Sequence, residues 1–301
     1  MAILITRDTT VIIQGITGRE AVTMTREGLD YGTRIVGGVT PGRGGREVHG
    51  VPVHDTVEQI TKKTRVDASV ISVPPAFTRD AAFEAIEAGI PLLVIVTENV
   101  PRFEVAQVVE LASQRGVRII GPNCLGVLSP GEAKVGGLGG RAEDARKAFA
   151  KGLVGVMSRS GGMTTEICNT LTAAGLGQST AISIGGDAII GQSYAELMPL
   201  FEDDPQTQAI AIYSEPGGRM EADLARWTKE NESRLPIVAF MAGRFMDAMP
   251  GMRFGHAGTI VEGRADTASE KIERLNEAGI AVAERIEDMP ALIEQQLAGS
   301  E

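Results

Sequence analysis

Short apolar runs recur along the chain, each closed by a glycine- or proline-rich corner and followed by an amphipathic segment. "TVIIQ" leads into "GITG", "DASVISV" into "PPAF", "PLLVIVTE" into "NVPRF" and "VRII" into "GPNCLG". Runs too short for helices, alternating with helical periodicity, predict buried strands of a parallel sheet built from β-α-β units. After a glycine-rich and then charged stretch, "GEAKVGGLGGRAEDARKAFAKG", the same grammar restarts. "LVGVMS" turns through "RSGG" into "MTTEICNTLTAAG", and "STAISIGGD", "QAIAIYSEPGG" and "LPIVAFMAGR" follow with helical segments between them. The pattern predicts an α/β protein with two parallel-sheet domains, over residues 1–130 and 151–301, joined by a connection over 131–150.

Length agrees with two domains, since 301 residues exceed the usual size of one. The 37 glycines, against eight Phe, three Tyr and one Trp, predict many tight turns around an aliphatic core. With 39 acidic and 29 basic residues, the net charge of −10 leaves no basic stripe for nucleic acid and no attraction to an anionic membrane. No apolar run spans a bilayer, and "MAILITRDTT" lacks the basic region and cleavage site of a signal peptide, so a cytoplasmic location is expected. The two cysteines, Cys124 and Cys168, are too few for a disulfide framework or a zinc site, and no metal site is expected.

Candidate chemistry falls at the carboxyl ends of the predicted strands, where open α/β sheets gather ligands. In "VIIQGITGREAV" a strand ends at Gly15 and turns through Gly18 into a helix, offering backbone N–H groups to a phosphate. An ordinary tight turn accounts for the same spacing. Arg43 and Arg46 lie in the glycine-rich loop "GGVTPGRGGREVHG", within reach of such a phosphate or simply in solvent. His49 and His54 carry no mark beyond that of surface residues. Cys124, just past a strand, has no base at a recognisable spacing and reads as packing. In "SRSGGMTTE" a second helix start, at Ser160, Gly161 and Gly162, presents free N–H donors and partial positive charge.

Glu215 in "IYSEPGG" ends a strand, where a carboxylate can hydrogen-bond one ring nitrogen of a histidine and leave the other as nucleophile. A solvent-facing glutamate is the alternative. His256 in "GMRFGHAGTI" is one of only three histidines and sits between Gly255 and Gly258 rather than in an apolar periodic segment. Glycines there allow close approach of a ligand or loop movement, which favours a nucleophile or carrier over a packing residue.

Taken in order, "QGITG", "VGGVTPGRGG", "GPNCLGV", "SRSGG", "IGGD", "DPQT", "EPGG" and "GHAG" resemble the alpha subunits of succinyl-CoA synthetase and the wider family of nucleotide-forming acyl-CoA ligases, nearly end to end. The resemblance implies an N-terminal Rossmann-like CoA-binding domain and a flavodoxin-like ligase domain. It places the CoA phosphates on Gly15, Ile16, Thr17 and Gly18, with Arg43 in place of the lysine in the family's "TPGKGG" loop. Val96, Thr97 and Glu98 line the pantetheine path, and Val73, Pro74, Asn123 and Cys124 complete the CoA site. His256 is implied to be phosphorylated transiently, Glu215 to orient it, and Ser160 to Gly162 to receive the phosphohistidine. ATP or GTP, with Mg²⁺, is implied to bind a separate ATP-grasp beta subunit, since no ATP-grasp pattern occurs here.

The implied reaction activates a small di- or tricarboxylic acid as an acyl phosphate, from which the CoA thiol displaces phosphate. Departures from the family's pattern bear on the acid. "SRSGGMTTE" carries Thr165 where succinyl-CoA synthetases carry tyrosine in "SRSGTLTYE". "SRSGGM" and "FGHAG" are closer to ATP citrate lyase and citryl-CoA synthetase, and "GPNCLG" to ADP-forming acetyl-CoA synthetases. An acid other than succinate is therefore expected. Two rival readings stand beside the ligase: a nicotinamide-dependent dehydrogenase, which lacks here the third glycine of its first turn, and a non-catalytic CoA-binding regulator.

Overall fold

The first strand is β1 (Thr10–Gln14), every residue of which is buried. It leads through the Gly15 turn into α1 (Arg19–Tyr31), and then come β2 (Arg34–Val39), the short β3 (Glu47–Val48) and β4 (Val51–His54). A brief α2 (Glu58–Thr61) precedes β5 (Ala68–Ile71), α3 (Pro75–Glu87), β6 (Leu92–Ile95), α4 (Arg102–Arg115) and β7 (Arg118–Ile120). These strands form one sheet in the order β3-β4-β2-β1-β5-β6-β7, parallel except for β3 on β4. This is a computed structural model, and it describes residues 2–249, 255, 256, 258, 259 and 267–299. Strands covered on both faces read as continuous apolar runs, which is why β1, β5 and β6 were legible as such. Ile12, Ile71 and Leu93 are fully buried there, each worth about 1.5–3 kcal/mol of burial.

The second sheet starts with a hairpin, β8 (Gly126–Ser129) and β9 (Ala133–Gly136), followed by α5 (Ala142–Ala148). Then come β10 (Lys151–Ser158), α6 (Gly161–Ala173), β11 (Gln178–Ser183), α7 (Tyr194–Glu202), β12 (Ala209–Ser214), α8 (Met220–Asn231) and β13 (Ile237–Met241). A 3₁₀ turn over Arg244–Ala248 precedes α9 (Ala268–Glu277), β14 (Ala281–Ala283) and α10 (Met289–Ala298). The order is β14-β13-β12-β10-β11-β8-β9. The strands from β10 to β14 are parallel, but β8 runs antiparallel to β11 and β9 to β8.

The two mostly parallel sheets with alternating helices are those expected from the sequence, with antiparallel strands at one edge of each. The stretch read as a connection carries β9 and α5. One of its glycines, Gly136, has a cause other than flexibility: it pairs with Gly126 on β8, and their Cα atoms approach so closely that a β-carbon on either would strike the facing backbone.

The two halves meet along α1. Thr33 Oγ1 donates to the Lys134 carbonyl at 2.7 Å, and Glu27 Oε2 accepts from the Ala142 amide at the start of α5 at 2.8 Å. Lys134 itself is 2% exposed, and burial pushes its ammonium down to about 8 against the pull of Glu27. Among the described residues no helix is long and apolar enough to cross a membrane.

Candidate active site

Three helices begin at one cavity of about 820 Å³. Gly18 to Ala21 at the start of α1, Pro74 and Pro75 at the start of α3, and Ser160 to Gly162 at the start of α6 all line it. Neither Gly18 nor Pro74 caps its helix with a side chain, whereas Ser160 Oγ accepts the Met163 amide. Three helix N-termini sum their partial positive charges on one space, an arrangement that suits a polyanionic ligand. The first turn needs glycine at position 15: φ is +81° there, and a β-carbon would collide with the Ser72 carbonyl.

His256 also lines this cavity. Its Nδ1 lies 2.8 Å from Glu215 Oε2 and 3.0 Å from Oε1. A carboxylate on Nδ1 fixes the proton there and leaves Nε2 with the free electron pair. The hydrogen bond to Glu215 raises the pKa of His256 above its ordinary value; burial and Arg159 oppose the rise, and Asp187 adds to it. Glu215 is 8% exposed, so its field on the ring is little screened. Gly186 supports the ring from below, because a β-carbon there would overlap the imidazole. Thr259 closes the local turn, its amide and hydroxyl both donating to the His256 carbonyl, at 3.1 and 2.7 Å.

The "GPNCLG" segment joins the two sheets at this cavity. The Asn123 amide donates to the Thr97 carbonyl, its carbonyl accepts from Gly186, and its side-chain amide donates to Asp187 Oδ1 at 2.9 Å. Cys124 is packed: its thiol donates to the Ile95 carbonyl at 3.3 Å, and burial pushes its pKa up to about 12. A thiol in that state is no nucleophile at neutral pH.

Of the residues singled out in the sequence, the cavity brings together Gly18, Val73, Pro74, Val96, Thr97 and Glu98 from the first half with Asn123, Cys124, Ser160, Gly161, Gly162 and His256. Glu215 stands behind His256. Gly15 faces an adjoining cavity of about 480 Å³, which Thr40, Pro41 and Phe77 also line. Ile16 is fully buried in the core, and Thr17 bonds Thr40 through their hydroxyls at 3.2 Å. Arg43 is exposed on its loop, and Thr165, in the second turn of α6, is partly exposed and outside the cavity lining. His49 is exposed and His54 ends β4, both away from the cavity.

Sequence reasoning missed Arg19, Glu20 and Met24, which line the cavity from α1, and Asp187 beside His256. It also missed a set of buried charges under the Glu215 turn: Arg159, Glu221 and Lys271 are 1%, 1% and 2% exposed. The arginine lay inside the quoted "SRSGG" string, but a lone lysine on an amphipathic helix carries no signal.

Residues 6–99 match the CoA binding domain family, and residues 157–281 match the CoA-ligase family. The subunit alpha 1 of an ADP-forming succinate–CoA ligase from Archaeoglobus fulgidus is 45% identical over 96% of this chain and 96% of its own length. The corresponding alpha subunit from Aquifex aeolicus is 44% identical over 94% of this chain and 91% of its own. An ATP citrate lyase from Methanosaeta concilii, solved with (3S)-citryl-CoA, superposes with a TM-score of 0.91 at 23% identity. That match covers 99% of this chain but only 51% of the lyase, and the likeness is one of fold.

Proposed function

We propose a function for this chain from the premise that it belongs to the succinate–CoA ligase alpha-subunit family, with a CoA-binding domain followed by a CoA-ligase domain. It is the alpha subunit of a nucleotide-dependent acid–CoA ligase, an acid–thiol ligase; neither a dehydrogenase nor a non-catalytic regulator is favoured. His256 is its phosphoryl carrier, and Glu215 orients that histidine. The observation that carries this reading is the Glu215–His256 contact of 2.8 Å beside a cavity entered by three helix N-termini.

His256 Nε2 attacks the terminal phosphorus of the nucleoside triphosphate, and the diphosphate leaves. The substrate carboxylate then attacks that phosphorus, and Nε2 departs as neutral imidazole. Attack of the CoA thiol on the acyl phosphate carbon releases phosphate and forms the thioester. Throughout, Glu215 keeps the Nδ1 proton in place, and the helix starts at Ser160–Gly162 stabilise the transferring phosphoryl charge. Gly15, Ile16, Thr17 and Gly18 hold the CoA phosphates with Arg43, while Val73, Pro74, Val96, Thr97, Glu98, Asn123 and Cys124 border the rest of the molecule.

The nucleotide, ATP or GTP with Mg²⁺, binds an ATP-grasp beta subunit with which this chain forms a heteromer in the cytoplasm. The acid is a small di- or tricarboxylate. Thr165, where succinyl-CoA synthetases carry tyrosine, supports one other than succinate. Incubating the heteromer with Mg-ATP and no CoA tests the central step: an acid-labile, alkali-stable phosphoryl group is expected on His256 by tandem mass spectrometry. An unmodified His256 with both ATP and GTP overturns the carrier role. Discharge of that group by succinate faster than by citrate, malate or itaconate overturns the substrate reading.

A further inference from the structure

The turn that presents Glu215 is gripped from beneath by two buried cations. Lys271 Nζ donates to the carbonyl oxygens of Glu215 and Gly217, at 3.0 and 2.6 Å, and pairs with Glu221 Oε2 at 2.6 Å. Arg159 Nη1 reaches the same two carbonyls at 3.5 and 3.3 Å. The three side chains come from separate elements: Arg159 follows β10, Glu221 opens α8 and Lys271 lies in α9. Neither Lys271 nor Glu221 lines the cavity.

A buried ion pair adds little net stability over apolar residues that fill the same volume. What apolar residues cannot do is donate hydrogen bonds to a turn. An ammonium has three donors, and among the described residues this one meets three acceptors, two of them carbonyls of one short backbone segment. That segment has little stiffness of its own, since Gly217 and Gly218 both sit at positive φ, +81° and +70°. The direction of the Glu215 carboxylate depends on how this backbone is held. We infer that Lys271, itself held by Glu221, is a positioning residue that fixes the Glu215–Gly217 turn and so aims the Glu215 carboxylate at His256. Arg159 assists but also abuts the backbone of Gly258 on the histidine's own loop, so Lys271 is the cleaner probe.

The inference rests on the phosphohistidine reading for its activity readout only; its geometric readout is independent of that reading. His256 is titrated by NMR in the full chain labelled with ¹⁵N-histidine, with His49 and His54 as internal controls. Among the described residues, the charged groups facing the ring are Glu215, Arg159 and Asp187. Loss of a nearby cation alone would raise the His256 midpoint, whereas departure of the carboxylate lowers it. Lys271→Met is expected to lower the midpoint by about one pH unit. In the heteromer with Mg-ATP it should slow phosphohistidine formation by at least about tenfold, with CoA affinity unchanged. Lys271→Arg should recover much of both, and in a Glu215→Gln background Lys271→Met should have almost no further effect.

Should Lys271→Met fail to fold, Glu221→Gln keeps the shape, removes the charge that holds Lys271 and is read in the same way, with Glu221→Leu removing the acceptor as well. A folded variant with an unchanged or raised His256 midpoint, or a full loss that persists in the Glu215→Gln background, overturns the inference. Failure of the wild-type heteromer to form phosphohistidine overturns the functional reading instead, and the titration still decides the positioning role.

Discussion

Gly186 and His256 are in such close contact that a β-carbon at position 186 would overlap the imidazole and lie 2.9 Å from Nδ1. The ring therefore owes its place to a missing side chain as much as to its hydrogen bond with Glu215. Gly186→Ala is expected to push the imidazole off Glu215 and lower the rate of phosphohistidine formation by about a hundredfold, the usual penalty for a displacement near 1 Å. Quench-flow measurement of the acid-labile phosphoryl group, with CoA binding as control, checks this.

The pH dependence has a definite sign. The hydrogen bond with Glu215 favours the imidazolium, so His256 titrates above its ordinary 6.5. Attack on phosphorus needs neutral Nε2, and the phosphorylation rate should rise with pH through that raised midpoint and then level off. Glu215→Gln should move the midpoint to lower pH and lower the plateau by about a hundredfold. The same linkage makes the pair stabilise the fold fully below 6.5 and progressively less as pH rises through the folded midpoint. Rate profiles of the two proteins between pH 5 and 9 distinguish these outcomes.

Asp247 closes the base of the segment that carries His256. Its carboxylate accepts from the Ala268 and Ser269 amides, both at 2.9 Å, and from Ser269 Oγ at 2.6 Å, tying the 3₁₀ turn to the start of α9. Burial pushes its pKa up, but these hydrogen bonds outweigh burial and hold it below the usual value. Asp247→Ala should cost about 1–2 kcal/mol in denaturant unfolding, a difference that fades as pH falls through the native carboxyl pKa. It should also slow phosphohistidine formation while leaving the KM for CoA unchanged.

Lys134 is a charge the fold tolerates rather than uses for stability. With its pKa at about 8 against an ordinary 10.5, the ammonium opposes folding below pH 8, and the penalty disappears as pH rises between the two values. Lys134→Met is expected to stabilise the chain at neutral pH by at most about 3 kcal/mol and to flatten its stability between pH 8 and 10.5. Thermal melts across that range test both parts.

What could be read from the sequence followed the range of the interactions involved. "TVIIQ" coincides with β1, and "LVGVMS", "QAIAIYS" and "PIVAFM" mark β10, β12 and β13, because strands buried on both faces are apolar without interruption. The helix starts after "GITG" and "SRSGG" were legible from local turn chemistry. The β8–β9 hairpin was not, since glycines that permit two backbones to touch look the same as glycines that loosen a linker. Lys271 and Glu221 were hidden for another reason: they are 50 residues apart, and only the packing of α8 against α9 removes both from water.

The hairpin also decides where the chain can be cut. β11 pairs with β10 on one side and with β8 on the other, so a fragment that begins at the ligase half alone, near residue 151, would leave the β11 ladder open along one side. A bare edge on a strand whose every residue is buried in the whole protein offers unpaired backbone groups to strands from other molecules, and such a fragment would be expected to self-associate. Retaining residues 126–136 in the second fragment covers that edge, and marks the break between Ile120 and Gly126 as the place to divide the protein.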